Sequence, residues 1–156
     1  MLFTQNLEPF ATGSINYDYQ PVPPDMENLR LILRVAVEGI PTVAVVDTGA
    51  PYLVIAPPIA KQIDFDPNTS LGPVTLNIRG SRYQGFLYRT RVSLFSEAGD
   101  ELAFSATAFV PNAEEEEDWI HRKLPSFLGL SLCLDRIRFA VDPSEDLFYF
   151  GALSQA

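Results

Sequence analysis

The segment TVAVVDTGA at residues 42–50 joins an apolar run to a short polar turn. The run is rich in β-branched residues and nearly continuous in apolar character, which is typical of an interior strand buried on both faces. A carboxyl group directly after such a strand is costly to desolvate unless it has partners. Gly49 permits a tight turn whose amides can point back at the Asp47 carboxylate, and Thr48 adds a hydroxyl beside it. The alternative is an ordinary Asp-Thr-Gly turn without chemistry.

The sequence on both sides of this segment is also typical of β-structure. Residues 29–37 alternate leucine and valine with Arg30 and Arg34, which predicts a half-buried strand. Further strands are predicted at 52–55, 74–78, 86–94, 102–110 and 127–128, with a closing hairpin at 137–141 and 147–150. Helices are predicted at 57–63, after Asn112 as a capping box with Glu115, and at 131–135. Short strands separated by turn signals predict an all-β barrel or sandwich with one or two short helices.

Residues 1–28 differ from the rest of the chain. They contain four prolines, and only Ile15, Tyr17 and Tyr19 alternate as in an edge strand. Proline removes backbone donors and fixes φ, so the sequence predicts an extended N-terminal arm followed by one domain at residues 29–156. The arm either wraps a second copy of the chain or forms a loosely attached tail.

Composition restricts the class of protein. The chain has 156 residues, of which 47% are apolar and 20% charged, enough for the core of a single domain. Its net charge of −9 makes nucleic acid and anionic membranes poor partners. One cysteine and one histidine exclude an internal disulfide and a His/Cys metal cage within one chain. No apolar stretch approaches the roughly 20 residues of a membrane span, and no signal peptide is recognisable, so we expect a cytoplasmic protein.

Two spaced motifs resemble the retropepsin-like aspartic proteases, and in particular their bacterial members. The first is Asp47-Thr-Gly with Ala50 after it and an apolar strand on either side. The second is Phe127-Leu128-Gly129 near the C-terminus, followed by the closing hairpin. The match runs in the family's order over residues 29–151. It implies an all-β, retropepsin-like acid-protease barrel for residues 29–156.

The resemblance implies hydrolysis of peptide bonds by acid–base activation of water, without a metal or another cofactor. That chemistry needs two aspartates sharing one proton, because like charges in contact cannot both ionise. Asp-Thr-Gly occurs once and Asp-Ser-Gly does not occur. The resemblance therefore implies a homodimer in which two Asp47 residues meet at the axis and each Thr48 braces the partner's loop. Leu128 and Gly129 are expected to brace the catalytic turn, and the substrate is expected to be an extended peptide or unfolded protein.

A flap is expected to cover such a site and exclude water. The sequence predicts it as a hairpin tip between Gly80 and Gly85, with substrate-binding residues Arg82, Tyr83 and Gln84. In this interpretation Tyr83 closes over the paired aspartates, and Arg82 favours acidic side chains. The alternative is an ordinary solvated hairpin that carries a surface aromatic residue.

The rival function is a catalytically inactive dimer of the same fold that binds peptides or acts as a scaffold. It is favoured by Leu130-Ser131, which replaces the polar or charged pair often found after this glycine in active members. A Ser-His-Asp triad through His121 lacks the Gly-x-Ser-x-Gly elbow, and we expect His121 to interact with a helix dipole. Cys133 is predicted to be a buried inert thiol. The acidic run at residues 114–118 is predicted to be a solvated helix start and not a calcium site.

Overall fold

The computed structural model describes residues 2–154, and most of its secondary structure is β. The twelve strands are β1 (Gly13–Asn16), β2 (Asp18–Val22), β3 (Asp25–Val37), β4 (Ile40–Val46), β5 (Leu53–Val54), β6 (Gly72–Ile78), β7 (Ser81–Leu94), β8 (Ala98–Gly99), β9 (Leu102–Pro111), β10 (Ser126–Leu128), β11 (Ile137–Asp142) and β12 (Leu147–Ala152). The helices are α1 (Pro57–Ile63) and α2 (Glu116–His121), with short 3₁₀ turns at Pro67–Thr69, Ala113–Glu115 and Leu134–Arg136.

Six of the strands close into a barrel. β3 pairs with β4 on one edge and with β7 on the other. The pairs β4–β10, β10–β5, β5–β9 and β9–β7 complete the ring. Closure satisfies the backbone of the ring strands, while β2 and β6 remain as the edges of the eight-stranded sheet. The predicted all-β barrel is confirmed.

Interior strand β4 differs from its predicted burial on both faces. Ala44 and Val45 are buried, but Val43 is 50% exposed. Val43 lies opposite Arg34 of β3, so this pair faces outward while the residues on either side face the core. Continuous apolar character therefore did not mean complete burial here.

The N-terminal segment contains two strands that belong to the body of the fold. β1 lies between β12 and β8 in a four-stranded sheet, and β2 pairs with the first half of β3. Ile15 and Tyr17 are almost fully buried. These pairings are long-range in sequence, and residues 13–22 are consequently neither a free tail nor a separate arm in this single chain.

The helices lie close to their predicted positions, but the predicted capping of the second helix is not formed. α1 occupies the predicted residues 57–63. The segment after Asn112 begins as a 3₁₀ turn, and Asn112 accepts the Glu115 amide through its backbone carbonyl at 2.9 Å, without a side-chain cap to the helix amides. The expected capping box is therefore absent. Within residues 2–154, no helix is long and apolar enough to cross a membrane.

The core consists of two clusters of buried side chains. The larger cluster fills the barrel and packs against the four-stranded sheet. The smaller one lies where α2, the β6–β7 hairpin and the β4–β10 pair meet, and it contains Tyr83, Trp119, Leu124 and Phe127. This second cluster positions the elements that surround Asp47.

Candidate active site

Asp47 follows the last residue of β4 and is fixed by the neighbouring strand. β10 runs parallel to β4, with Leu128 beside Val46, and the Leu128 carbonyl accepts the Asp47 amide at 2.9 Å. The side chain of Asp47 is 29% exposed. A β-branched strand of the barrel thus brings one carboxylate to its end without removing it from solvent.

The turn after Asp47 points its backbone at the carboxylate. The Gly49 amide donates to Asp47 Oδ1 at 3.1 Å, and the Ala50 amide donates to the Asp47 carbonyl at 3.1 Å. The first bond fixes the orientation of the carboxylate, and the second closes the turn. The predicted arrangement, a carboxylate held by a tight Asp-Thr-Gly turn, is present. Thr48 is exposed at the tip of the turn.

The segment after β10 braces this turn from behind. The Gly129 amide donates to the Tyr52 carbonyl and the Leu130 amide to the Ala50 carbonyl, each at 2.8 Å. A Cβ atom at position 129 would lie 2.2 Å from the Tyr52 carbonyl oxygen, so only glycine allows this approach. The structure thus brings Leu128 and Gly129 together with the Asp47 turn.

The β6–β7 hairpin is the element where structure and sequence differ most. Ile78 pairs with Ser81, so its turn consists of Arg79 and Gly80 alone. Both residues have positive φ, 50° and 85°, as in the tight turns that suit the twist of a hairpin. The predicted tip at residues 80–85 is therefore corrected, because residues 81–85 belong to β7.

Gly85 explains this correction. It is a strand glycine, because a Cβ there would lie 2.3 Å from the Val110 carbonyl oxygen of β9. The sequence predicts Gly85 as one end of the hairpin tip. Arg82 and Gln84 project from β7 as exposed residues, so the structure leaves them on the strand and not at the tip.

Tyr83 does not reach Asp47 in this structure. It is 1% exposed, packs edge-to-face on Trp119 at 4.9 Å, donates to Asp118 at 2.6 Å and accepts from Arg122 at 2.6 Å. The pKa of the Tyr83 hydroxyl is raised above its ordinary value, mainly by burial and secondly by the hydrogen bond to Asp118. Tyr83 therefore attaches the hairpin to α2.

Arg79 is the residue of the site that sequence reasoning missed. Its Nη2 lies 3.7 Å from Asp47 Oδ2, and its guanidinium lies 5.2 Å from the centre of the Phe127 ring. Arg122 donates to the Arg79 carbonyl at 2.7 Å. The side chain is 24% exposed. The Arg-Gly pair was the only local signal, and it identifies a turn but not what the turn contacts.

The other candidates lie outside this site. Cys133 is fully buried, as predicted, and burial raises the pKa of its thiol to about 12. His121 is exposed at the end of α2. Among residues 2–154, no group of three or more His, Cys, Asp or Glu side chains is placed to hold a metal ion.

The overall architecture is similar to that of solved retropepsin-like proteins. One is a retropepsin-like aspartic protease from Rickettsia conorii, with 22% identity, a TM-score of 0.52, and coverage of 90% of this chain and 94% of that chain. Another is the retroviral protease-like domain of Ddi1 from Leishmania major, with 15% identity, a TM-score of 0.47, and coverage of 80% and 94%. No family model and no curated protein matches the sequence.

The fold is thus the all-β, retropepsin-like fold of aspartic proteases. At this level of identity the likeness establishes the architecture, and function depends on the site itself.

Proposed function

We propose that the protein is a homodimeric aspartic endopeptidase in which two Asp47 residues activate a water molecule. The observation that carries the proposal is the Asp47 turn. Its carboxylate accepts the Gly49 amide at 3.1 Å and ends a core strand of a retropepsin-like barrel, with the turn of a hairpin beside it. A fixed, partly exposed carboxylate beside the turn of a hairpin suits acid–base chemistry.

In the proposed mechanism the two Asp47 carboxyls share one proton at the dimer axis. The ionised carboxylate accepts a proton from the attacking water while the protonated one donates to the scissile carbonyl oxygen. The tetrahedral intermediate then collapses, and a proton passes to the leaving nitrogen. The Gly49 amide keeps the carboxylate oriented throughout, which limits the reorganisation needed in the transition state.

The proposed substrate is an extended segment of peptide or unfolded protein. β6 is an edge strand of the eight-stranded sheet, so its outer backbone groups can pair with an added strand. Main-chain pairing supplies affinity without selecting a sequence, and side-chain pockets supply the selection.

The decisive experiment compares Asp47→Asn with the unmodified protein on an unfolded protein substrate, from about pH 4 to about pH 7. Asn retains an oxygen for the Gly49 amide, so the turn should fold while cleavage falls by at least about a thousandfold. The matched control is Asp100→Asn, an exposed position beyond β8, which should cleave normally. Proteolysis that persists in Asp47→Asn rejects Asp47 as the catalyst.

The second candidate function is an inactive binding or scaffold dimer. The Arg79–Asp47 ion pair favours it, because a guanidinium on the carboxylate occupies the place that water needs. A dimeric protein that binds extended peptides but cleaves none, with or without Asp47, decides for this alternative.

A further inference from the structure

The β6–β7 turn carries a cation to the candidate catalytic carboxylate. Arg79 occupies the first of the two turn positions, where its φ of 50° suits a tight hairpin turn. Its guanidinium reaches Asp47 at 3.7 Å. The chain as a whole carries a net charge of −9, so this placement of a cation is a local feature.

Two contacts hold Arg79 in place besides Asp47. The guanidinium lies over the ring of Phe127 at 5.2 Å, a cation–π arrangement. The backbone carbonyl of Arg79 accepts a hydrogen bond from Arg122, which also donates one to the Tyr83 hydroxyl. Neither contact neutralises the charge of Arg79. Among the described residues, Asp47 supplies the one carboxylate within ion-pair distance of the Arg79 guanidinium.

Hydrolysis requires Asp47 to exchange that partner. Water and the scissile carbonyl must both reach the carboxylate, so Arg79 has to release it when a peptide binds. The Arg79 side chain is only 24% exposed, and a bound peptide covers it further. Removing the anion from a guanidinium while it is being desolvated costs free energy, unless a new anion takes its place.

We propose that Arg79 is a specificity-determining residue that binds an acidic side chain of the substrate. This inference rests on the proposed function for its catalytic readout. A glutamate or aspartate near the scissile bond accepts two hydrogen bonds from the guanidinium when Arg79 releases Asp47. A neutral peptide leaves the Arg79 guanidinium without an anionic partner and therefore binds more weakly. Acidic peptides are thus selected both by their attraction to Arg79 and by this loss of affinity for neutral peptides.

Arg79 is favoured over the nearby cations by its geometry. Arg122 is committed to the Tyr83 hydroxyl and the Arg79 carbonyl. Arg82, to which the sequence assigned this preference, is exposed on β7 beyond the turn. Among the described residues, Arg79 is the cation that lies beside the Asp47 carboxylate. A bound peptide must lie across this carboxylate.

The test uses peptide pairs that differ only by Glu or Gln, with the variable residue scanned across the positions flanking an apolar pair. Cleavage of each peptide is measured as kcat/KM, and binding is measured with analogues whose scissile amide is reduced. We expect the unmodified protein to prefer the Glu peptide by about ten- to hundredfold at the best position. The preference should weaken at high salt.

Three variants separate the causes. Arg79→Asn removes the charge and leaves an Asn-Gly turn, which forms such hairpins well, so the fold is retained. We expect it to abolish the Glu preference, chiefly by weakening the Glu peptide. Arg79→Lys should retain part of the preference. The matched control is Arg89→Gln, an exposed arginine further along β7, which should leave the preference unchanged.

The outcomes distinguish the two proposals. If no peptide is cleaved but the Glu analogue binds more tightly in an Arg79-dependent way, the inference stands and the protease assignment fails. Cleavage that depends on Asp47 without any Glu preference in either readout overturns the role of Arg79. In a fourth variant, Arg82→Asn, loss of a preference that Arg79→Asn retains also overturns it.

Discussion

At the scale of single residues, the site depends on close backbone approaches and on groups kept from water. Gly129 gives the brace its contact with the Asp47 turn, and Cys133 is sealed in the core behind it. The roles of Gly129 and Cys133 lead to predictions about stability that hold whether or not the protein is an enzyme.

Gly129→Ala should be strongly destabilising. The added methyl would lie 2.2 Å from the Tyr52 carbonyl oxygen and 2.6 Å from that of Ala50, so the brace must separate from the turn. We expect a loss of about 3 kcal/mol or more in the free energy of unfolding, measured by urea denaturation. The control is Gly39→Ala, where φ is 79° but no atom lies within 4 Å of the added methyl. It should cost only about 1 kcal/mol, and equal losses would mean that crowding at Gly129 is unimportant.

The buried thiol predicts a loss of stability in alkali. In the unfolded chain a cysteine titrates at about 8.5. In the folded protein burial, helped by the Asp135 charge, raises the pKa of Cys133 to about 12. Between these values the unfolded state binds fewer protons, so stability falls as pH rises, by up to about 1.4 kcal/mol per pH unit.

The measurement is urea unfolding from about pH 7.5 to about pH 9, below the ordinary tyrosine pKa of about 10. Cys133→Ala should flatten the slope whatever its effect on absolute stability. An unchanged slope would assign the pH dependence to other groups.

At the scale of elements, α2 and the β6–β7 hairpin are packed and hydrogen-bonded to each other. Tyr83 of the hairpin packs on Trp119 of α2, and Trp119 Nε1 donates to the Leu124 carbonyl at 2.9 Å. Trp119 and Leu124 are buried and attach the helix to the barrel, whereas Ile120 is 51% exposed.

Arg122→Ala should loosen the turn of the hairpin without unfolding the barrel. It removes the bond to the Arg79 carbonyl at 2.7 Å and the bond to the Tyr83 hydroxyl. A charged hydrogen bond of this kind contributes about 1.5 kcal/mol, so amide exchange at residues 79–81 should accelerate about tenfold. Exchange in β3 and β4 serves as the internal reference. Unchanged protection at the turn would show that the hairpin is held by its apolar face instead.

Local sequence predicted the elements whose structure is locally decided. The Asp47 turn, α1 and the closing hairpin were found because strand periodicity, proline and turn residues act over a few positions. The position of the β6–β7 turn was missed because Gly85 serves packing against β9, a contact distant in sequence. The Arg79–Asp47 pair and the pairing of β1 with β12 were missed for the same reason, since they join parts of the chain 32 and more positions apart.

At the scale of the whole molecule, one chain holds one Asp-Thr-Gly turn, so the proposed chemistry belongs to an assembly. Two consequences can be measured. Specific activity should fall when the protein is diluted below the dissociation constant of the dimer. Sedimentation over the same concentrations should show the dimer dissociating in parallel.

Mixing experiments test whether both aspartates act. After subunit exchange between equal amounts of the unmodified protein and Asp47→Asn, half of the active chains are paired with inactive ones. Activity should then be about half that of the unmodified chains alone, if mixed dimers are silent. The control is an equal amount of Asp100→Asn in place of Asp47→Asn, which should not lower the activity. Undiminished activity with Asp47→Asn would mean that one carboxylate suffices.

The shared strand β7 has a mechanical consequence. Its first residues form the hairpin with β6, and Val92–Leu94 at its other end pair with β3 to complete the barrel. We expect a displacement of the turn to be transmitted along this continuous strand to the β3–β7 pairing. A ligand that holds the turn should therefore slow amide exchange at residues 92–94, at the opposite end of the strand.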